Sequence, residues 1–464
     1  MTEGKKIKNL ALFRLSVIAV SFICLTWFLA FPAHAGGLIR DAEIEATLRD
    51  YADPIFRAAG LKPSAINIYL VQDSSLNAFV AGGQNLFIHT GLIMATKTPD
   101  MLLGVIAHET GHIAGGHLAK GAEKLKNAQI GTIMATVLGA AAAAASGKAE
   151  AAAVVIGGAS NTVTRNFLSF SRANENAADE AALGFLDKVG VSSSGMVDMF
   201  TLLRRQERQH LGKPDPYMLT HPLSSERIEH IQAHVNQSKI PQGAYPKSLT
   251  EKHARMVAKL YAFLEKPEKT LRNYSQNDPS VAARMARATA FFMQAKIDES
   301  IAIMDALTKE RPSDAYLYDL KGQILFESAR PDAAYEAYSM AAKLLPNEPL
   351  ILSDLAKVEL ARGGKADVAS ATRHLEHSLA IDKENAAAWR LLATAYGKQN
   401  NNAASSLALA EESLLIGDVK EALAQAGRAI STLPPTSPSH QRANDLKQRA
   451  LQMQKEQKDA ESMF

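Results

Sequence analysis

The second half of the chain repeats itself at a fixed interval, and that recurrence restricts it to one kind of architecture. Pro312 and Pro346 stand one interval apart and close two comparable segments, SIAIMDALTKERP and AAYEAYSMAAKLLP. A third, ASATRHLEHSLAID, ends at Asp382, slightly late, with Gly363-Gly364-Lys365 placed to absorb the difference. A fourth, VKEALAQAGRAISTLPP, runs into Pro434-Pro435. Strand patterning is sparse beyond about residue 250, and helical segments recur. The interval matches the period of about 34 residues at which paired helices stack into a solenoid, each pair covering its neighbour. The segment AAAWRLLATAYGK, with Trp389, Leu392, Ala395 and Tyr396, fits the first helix of such a pair, although the glycine expected near Leu392 is absent. About four repeats are expected, with an ordinary helical bundle as the competing arrangement.

The other end of the chain reads as a targeting segment. Lys5, Lys6, Lys8 and Arg14 against Glu3 account for the whole formal charge of +3. The rest of the chain carries equal numbers of basic and acidic groups, which excludes the basic stripe of a nucleic-acid binder. An apolar run from Leu15 to Phe31 follows, then Ala33-His34-Ala35, a small-x-small cleavage site. Residues 1–35 are therefore expected to be a signal peptide, with an uncleaved membrane anchor as the alternative. Cys24, the one cysteine, falls inside that run and would be lost with it. The exported chain from Gly36 could then form no disulfide and no thiolate metal site. Any metal must be held by histidines and carboxylates.

Between these ends the pattern is mixed. Asp41 to Ala59 predicts a helix, Ala65 to Val71 a short strand, and Phe79 to Ile88 a hairpin around Gly82-Gly83. Thr98-Pro99-Asp100 marks a helix start, with Thr98 able to cap and Pro99 suited to the first turn. Residues 127–159 are apolar and alanine-rich. They predict a buried helical hairpin, with peripheral membrane contact as the sharper alternative. Asn236 to Pro246 has the proline and glycine of a linker.

The helix that Pro99 starts carries His108-Glu109-Thr110-Gly111-His112. Positions i and i+4 share a helical face, so both imidazoles can reach one metal ion, and Glu109 beside them is placed to take a proton from water. Zinc suits such a site, where it lowers a water's pKa toward ~7 and polarises a peptide carbonyl. A third ligand is needed. Gly115 matches one known continuation of the motif, but that pattern requires histidine at 118, where Leu118 stands. His117 points to the opposite side of a continuous helix from His108, which makes it a surface residue or a backing group. Glu175-Asn176-Ala177-Ala178-Asp179 offers two carboxylates on one face, one able to bind the metal and the other able to orient a ligating histidine.

HETGH, the later Glu-x-x-x-Asp pair of Glu175 and Asp179, and THPLSSERI at Thr220 to Ile228 together resemble the gluzincin metallopeptidases of the HtpX and BepA type. The upstream LNAFVAGGQNLFIHTGLI resembles that family's hairpin, and the likeness covers roughly residues 40–235. A signal peptide in front and repeats of tetratricopeptide kind behind are similar to the BepA-type periplasmic members. The resemblance implies one zinc ion per chain held by His108, His112 and Glu175, with Glu109 as general base and Asp179 backing a ligand. It also places His221 and Arg227 near the site. His221 has two readings: donation to the oxyanion, or occupation of zinc's open position as a plug.

The expected fold is mainly α with a small β-sheet. A zincin-type domain over 36–240 is followed by a tetratricopeptide-like solenoid over 250–464. The expected function is zinc-dependent cleavage of unfolded or misassembled envelope proteins in the periplasm. By resemblance, the substrates are stalled outer-membrane proteins and the partner is their assembly machinery, engaged through the repeats. A chaperone or scaffold acting through the repeats, and a membrane-anchored stress protease, are the competing readings.

Overall fold

The computed structural model describes residues 37–82, 84–117, 172–209, 221 and 223–461. The expected signal peptide and the alanine-rich 127–159 segment lie outside them. Leu38–Ile39 (β1) leads into α1, Ala42–Ala58, whose start is capped by the Asp41 side chain accepting from the Ile44 N–H. Its buried face, including Ile44, Leu48, Ile55 and Phe56, rests on a four-stranded sheet of order β1-β2-β4-β3. In that sheet β2 is Asn67–Val71, β3 Ala78–Ala81 and β4 Asn85–His89. The predicted hairpin is β3 and β4, antiparallel with Ala78 opposite Ile88. Strand β2 pairs with β4 in parallel, Leu70 opposite Ile88, which leaves β3 at one edge.

After α2, Thr90–Ala95, comes the helix on which the site depends, α3, Pro99–Ala114. Thr98 stands at its N-cap position, but its side chain makes no capping hydrogen bond, so that expectation is corrected. Proline at the first turn already removes one orphan donor, and Asp100 stands in that turn near the positive end of the helix dipole. Every residue of α3 from Pro99 to His112 is buried. It lies between α4, Arg172–Val189, and α5, Ser194–Gln209, with α1 and β3 also against it. Helix α6, Ser225–Gln237, packs across α4 and α5. Gly111 permits a close approach to α4: a Cβ there would lie 2.7 Å from the Ala178 carbonyl oxygen.

The expected linker is tied down. The Ser192 N–H donates to the Ala244 carbonyl at 2.7 Å, and the Gly243 N–H donates to the Ser194 hydroxyl at 2.9 Å. Helix α7, Ser248–Leu264, then contributes Leu249, Met256 and Leu260 to the same core as α1 and α3. Its buried Arg255 reaches Glu43 on α1 at 2.5 Å and Asp314 at 2.5 Å, and buried Lys259 reaches Asp41 at 2.7 Å.

After the short α8, Pro267–Asn273, the helices come in pairs. They are α9 and α10 (Val281–Met293, Ile297–Glu310), α11 and α12 (Ala315–Glu327, Pro331–Leu344), and α13 and α14 (Pro349–Arg362, Lys365–Ile381). Then follow α15 and α16 (Ala386–Lys398, Asn402–Leu415), and α17 and α18 (Val419–Thr432, Pro438–Glu461). Helices α9, α11 and α13 begin at Val281, Ala315 and Pro349, an equal step each time and the same step that separates Pro312 from Pro346. Those two prolines stand just beyond the ends of α10 and α12, where a helix cannot continue. Helix α14 is longer than its counterparts α10 and α12 and is preceded by Gly363 in the left-handed region, the predicted accommodation of the late third repeat. This is a tetratricopeptide-like helical-repeat region, and the described residues from Gly37 onward pack as one unit.

Candidate metal centre

Two turns of α3 place His108 and His112 on one face, their Nε2 atoms 3.1 Å apart. Helix α4, brought close by Gly111, adds Glu175. Its Oε2 lies 3.5 Å from His108 Nε2, and its Oε1 lies 3.4 Å from His112 Nε2. His221, just before α6, brings Nδ1 to 3.4 Å from His108 Nε2 and 3.3 Å from Glu175 Oε1. The ligand atoms of these four residues all lie within 4.8 Å of one another, and all four side chains are buried. Donors around a tetrahedral zinc at about 2.0–2.1 Å stand about 3.3–3.4 Å apart. The observed spacings bracket that value, so two imidazoles from α3, one carboxylate and a third imidazole fit zinc by both chemistry and spacing.

The electrostatics point the same way. Burial works against a charged imidazole at His108, yet Asp179 and Glu175 outweigh it and push its pKa up to about 10. Burial lowers His112 to about 3, helped by the neighbouring histidines. Burial would raise Glu175, but hydrogen bonds from the three histidines hold it well below the ordinary carboxylate range. A carboxylate held ionised among buried imidazoles is a donor set that suits a divalent cation.

Around these donors stands a set of orienting contacts. His108 turns its other nitrogen, Nδ1, to Asp179 Oδ1 at 2.8 Å. Arg227 on α6 grips Asp179 through Nε at 2.6 Å and Nη2 at 2.9 Å, and its Nη1 reaches Glu175 Oε2 at 2.8 Å. Burial opposes ionisation of Asp179, but Arg227 and His108 hold its carboxyl below the usual range. Glu109 is fully buried, neither of its carboxylate oxygens has a hydrogen-bond partner among the described residues, and burial pushes its carboxyl up. Its Oε1 lies 3.5 Å from His221 Nε2. A buried carboxylate without a donor is costly unless another group supplies the proton it accepts.

The structure thus brings His108, Glu109, His112, Glu175, Asp179, His221 and Arg227 together. His117 departs from one of its two readings. It is 7% exposed, so it is no surface residue, and its Nδ1 is 3.0 Å from His112 Nδ1. Sequence reasoning misses Phe200 on α5 entirely. Its ring meets the edge of His108 at 6.3 Å and lies under the Arg227 guanidinium at 5.1 Å. One apolar residue on an amphipathic helix carries no signal of such a role. Among the described residues no helix is long and apolar enough to cross a membrane.

The sequence profile of Peptidase family M48 matches residues 39–235. A beta-barrel assembly-enhancing protease of Yersinia pestis is 23% identical over 400 residues, covering 83% of this chain and 79% of its own length. The protein of the same name in Escherichia coli (strain K12) is 23% identical over 397 residues, covering 85% of this chain and 80% of its own. Among solved structures, the crystal structure of yeast Tom70 aligns with 86% of this chain and 74% of its own, at 10% identity and a TM-score of 0.38. The M48 match runs from β1 through most of α6 and so spans every element that supplies a donor to the cluster; residues 39–235 are a Peptidase family M48 domain, with a tetratricopeptide-like helical-repeat region behind it.

Proposed function

We propose that the chain is a periplasmic zinc endopeptidase that cleaves unfolded or misassembled envelope proteins, outer-membrane proteins above all. The observation that carries this reading is the convergence of His108, His112, Glu175 and His221 beside a buried Glu109 that has no hydrogen-bond partner among the described residues. His108, His112 and Glu175 would hold the zinc, which supplies an acidified water and a polarised peptide carbonyl. Glu109 takes the proton from the attacking water and passes it to the leaving amine. Asp179 fixes the His108 ring, and Arg227 fixes both carboxylates of α4. His221 is the plug: its Nδ1 stands among the donors, where substrate would have to enter.

Strand β3 supports a preference for extended chains, because it is an edge of the sheet directly against α3. The zincin-type domain over 36–240 does the chemistry, and the repeats over 250–464 hold clients or their assembly machinery on a solenoid surface. Two relatives named for beta-barrel assembly support the envelope setting.

Zinc content and casein cleavage of the full chain test the reading together. Glu109→Gln should keep one zinc per chain and lose turnover by ~10²–10⁴, as removal of a general base does. Unchanged cleavage by a zinc-replete variant would sink the assignment of Glu109.

A further inference from the structure

The two helical imidazoles are backed differently, and the difference is built into the chain. His108 Nδ1 meets a carboxylate, Asp179, at 2.8 Å. His112 Nδ1 meets a second imidazole, His117 Nδ1, at 3.0 Å, the rings edge to face at 74°. On a continued helix His117 would point about 140° away from His112 and could not touch it. The chain prevents this by stopping α3 at Ala114. Gly116 then takes φ +60°, a left-handed conformation that favours glycine, and its N–H donates to the Ile113 carbonyl at 3.1 Å. The returning His117 ring lies on Gly115, where a Cβ would come within 2.5 Å of its Nε2. Two glycines of different use thus seat one imidazole against the outer nitrogen of a candidate ligand.

We infer that His117 is a positioning residue for His112, an inference that rests on the zinc-site reading above. An imidazole that offers Nε2 to a metal carries its proton on Nδ1. His117 Nδ1 accepts that proton's hydrogen bond, which fixes the tautomer and the ring plane of His112. The choice of a neutral acceptor has a charge logic. Among the described residues, Glu109, Glu175 and Asp179 against Arg227 and a divalent cation come out neutral. A carboxylate in place of His117 would leave this buried cluster with an uncompensated negative charge.

The test is zinc affinity of the full chain by competition with a chromophoric chelator, alongside the spectrum of the cobalt(II)-substituted protein. His117→Ala should weaken zinc ~10–100-fold, the range for loss of a backing partner. His117→Asn, whose Oδ1 falls near the lost Nδ1, should recover most of that and keep the cobalt spectrum of the parent. Gly115→Ala should mimic the loss by displacing the ring. The inference is overturned if His117→Ala binds zinc as tightly as the parent while Asp179→Asn does not, or if His117→Asn is as weak as His117→Ala. A parent chain that binds no stoichiometric zinc overturns the site reading and this inference with it.

Discussion

Glu175 and Asp179 both touch His108, yet through opposite nitrogens, and that distinction sets their expected roles apart. Glu175→Ala removes a donor and should abolish stoichiometric zinc binding. Asp179→Asn keeps the shape but weakens the grip on His108, and should cost ~10–100-fold in zinc affinity. Equal, full zinc occupancy in both variants under a competing chelator would contradict the division. His221 is tested by removal as well. With Nδ1 3.3 Å from Glu175 Oε1, it stands as a fourth donor, so His221→Ala should raise peptide turnover and self-cleavage at matched zinc content. A fall of ~10²–10³ would instead assign it to the oxyanion. The two helical histidines can be read from sequence because their geometry is local: an i, i+4 spacing on a helix fixes their relation. Arg227 and His221 can be read only through resemblance, since nothing near them in sequence says what they face. His117 is half misread from sequence because its two readings both suppose a helix that continues through Gly115-Gly116.

The turns between paired helices show a periodicity of their own. Ala295, Ala329 and Gly363 all adopt positive φ, at 58°, 57° and 77°, and follow one another at the repeat interval. Each joins the two helices of one repeat, and only the third carries the residue that this conformation favours. Ala329→Gly should therefore stabilise the chain by about 0.5–1 kcal/mol, the relief of left-handed strain less the entropy glycine adds to the unfolded state. Denaturant unfolding with an unchanged m-value is the measurement, and a loss of stability would show that the strain is not felt there. The repeat helices are readable almost to their ends because prolines and glycines punctuate them. The sheet order is not: β2 and β4 are parallel and separated by β3 in the chain, so no turn in the sequence announces their pairing.

Where the catalytic part ends is a matter of buried surface rather than of linker composition. Asn236 to Pro246 resembles a boundary for its proline and glycine, but the fully buried Met256 and the nearly buried Leu249 and Leu260 of α7 complete the core that supports α3. Burying each such side chain stabilises a fold by roughly 1.5–3 kcal/mol, so a chain cut at Pro246 forfeits several kcal/mol against a typical total of about 5–15 kcal/mol. A chain ending at Leu264 keeps them, along with the Arg255–Glu43 and Lys259–Asp41 pairs, and gives up the Arg255–Asp314, Arg40–Asp382 and Glu251–Arg311 pairs and the packing of Ala258 and Ala262 against Ala282 and Ala286 of α9. The expectation is that the longer piece folds cooperatively and retains zinc, while the shorter aggregates or loses the metal. Having no repeats, the longer piece should also fail to retain any partner that the full chain recovers from an envelope extract. Equal thermal stability and zinc content in the two pieces would place α7 with the repeats alone. Equal partner recovery with and without residues 265–464 would remove the docking role from the solenoid and leave the peptidase domain to select its own substrates.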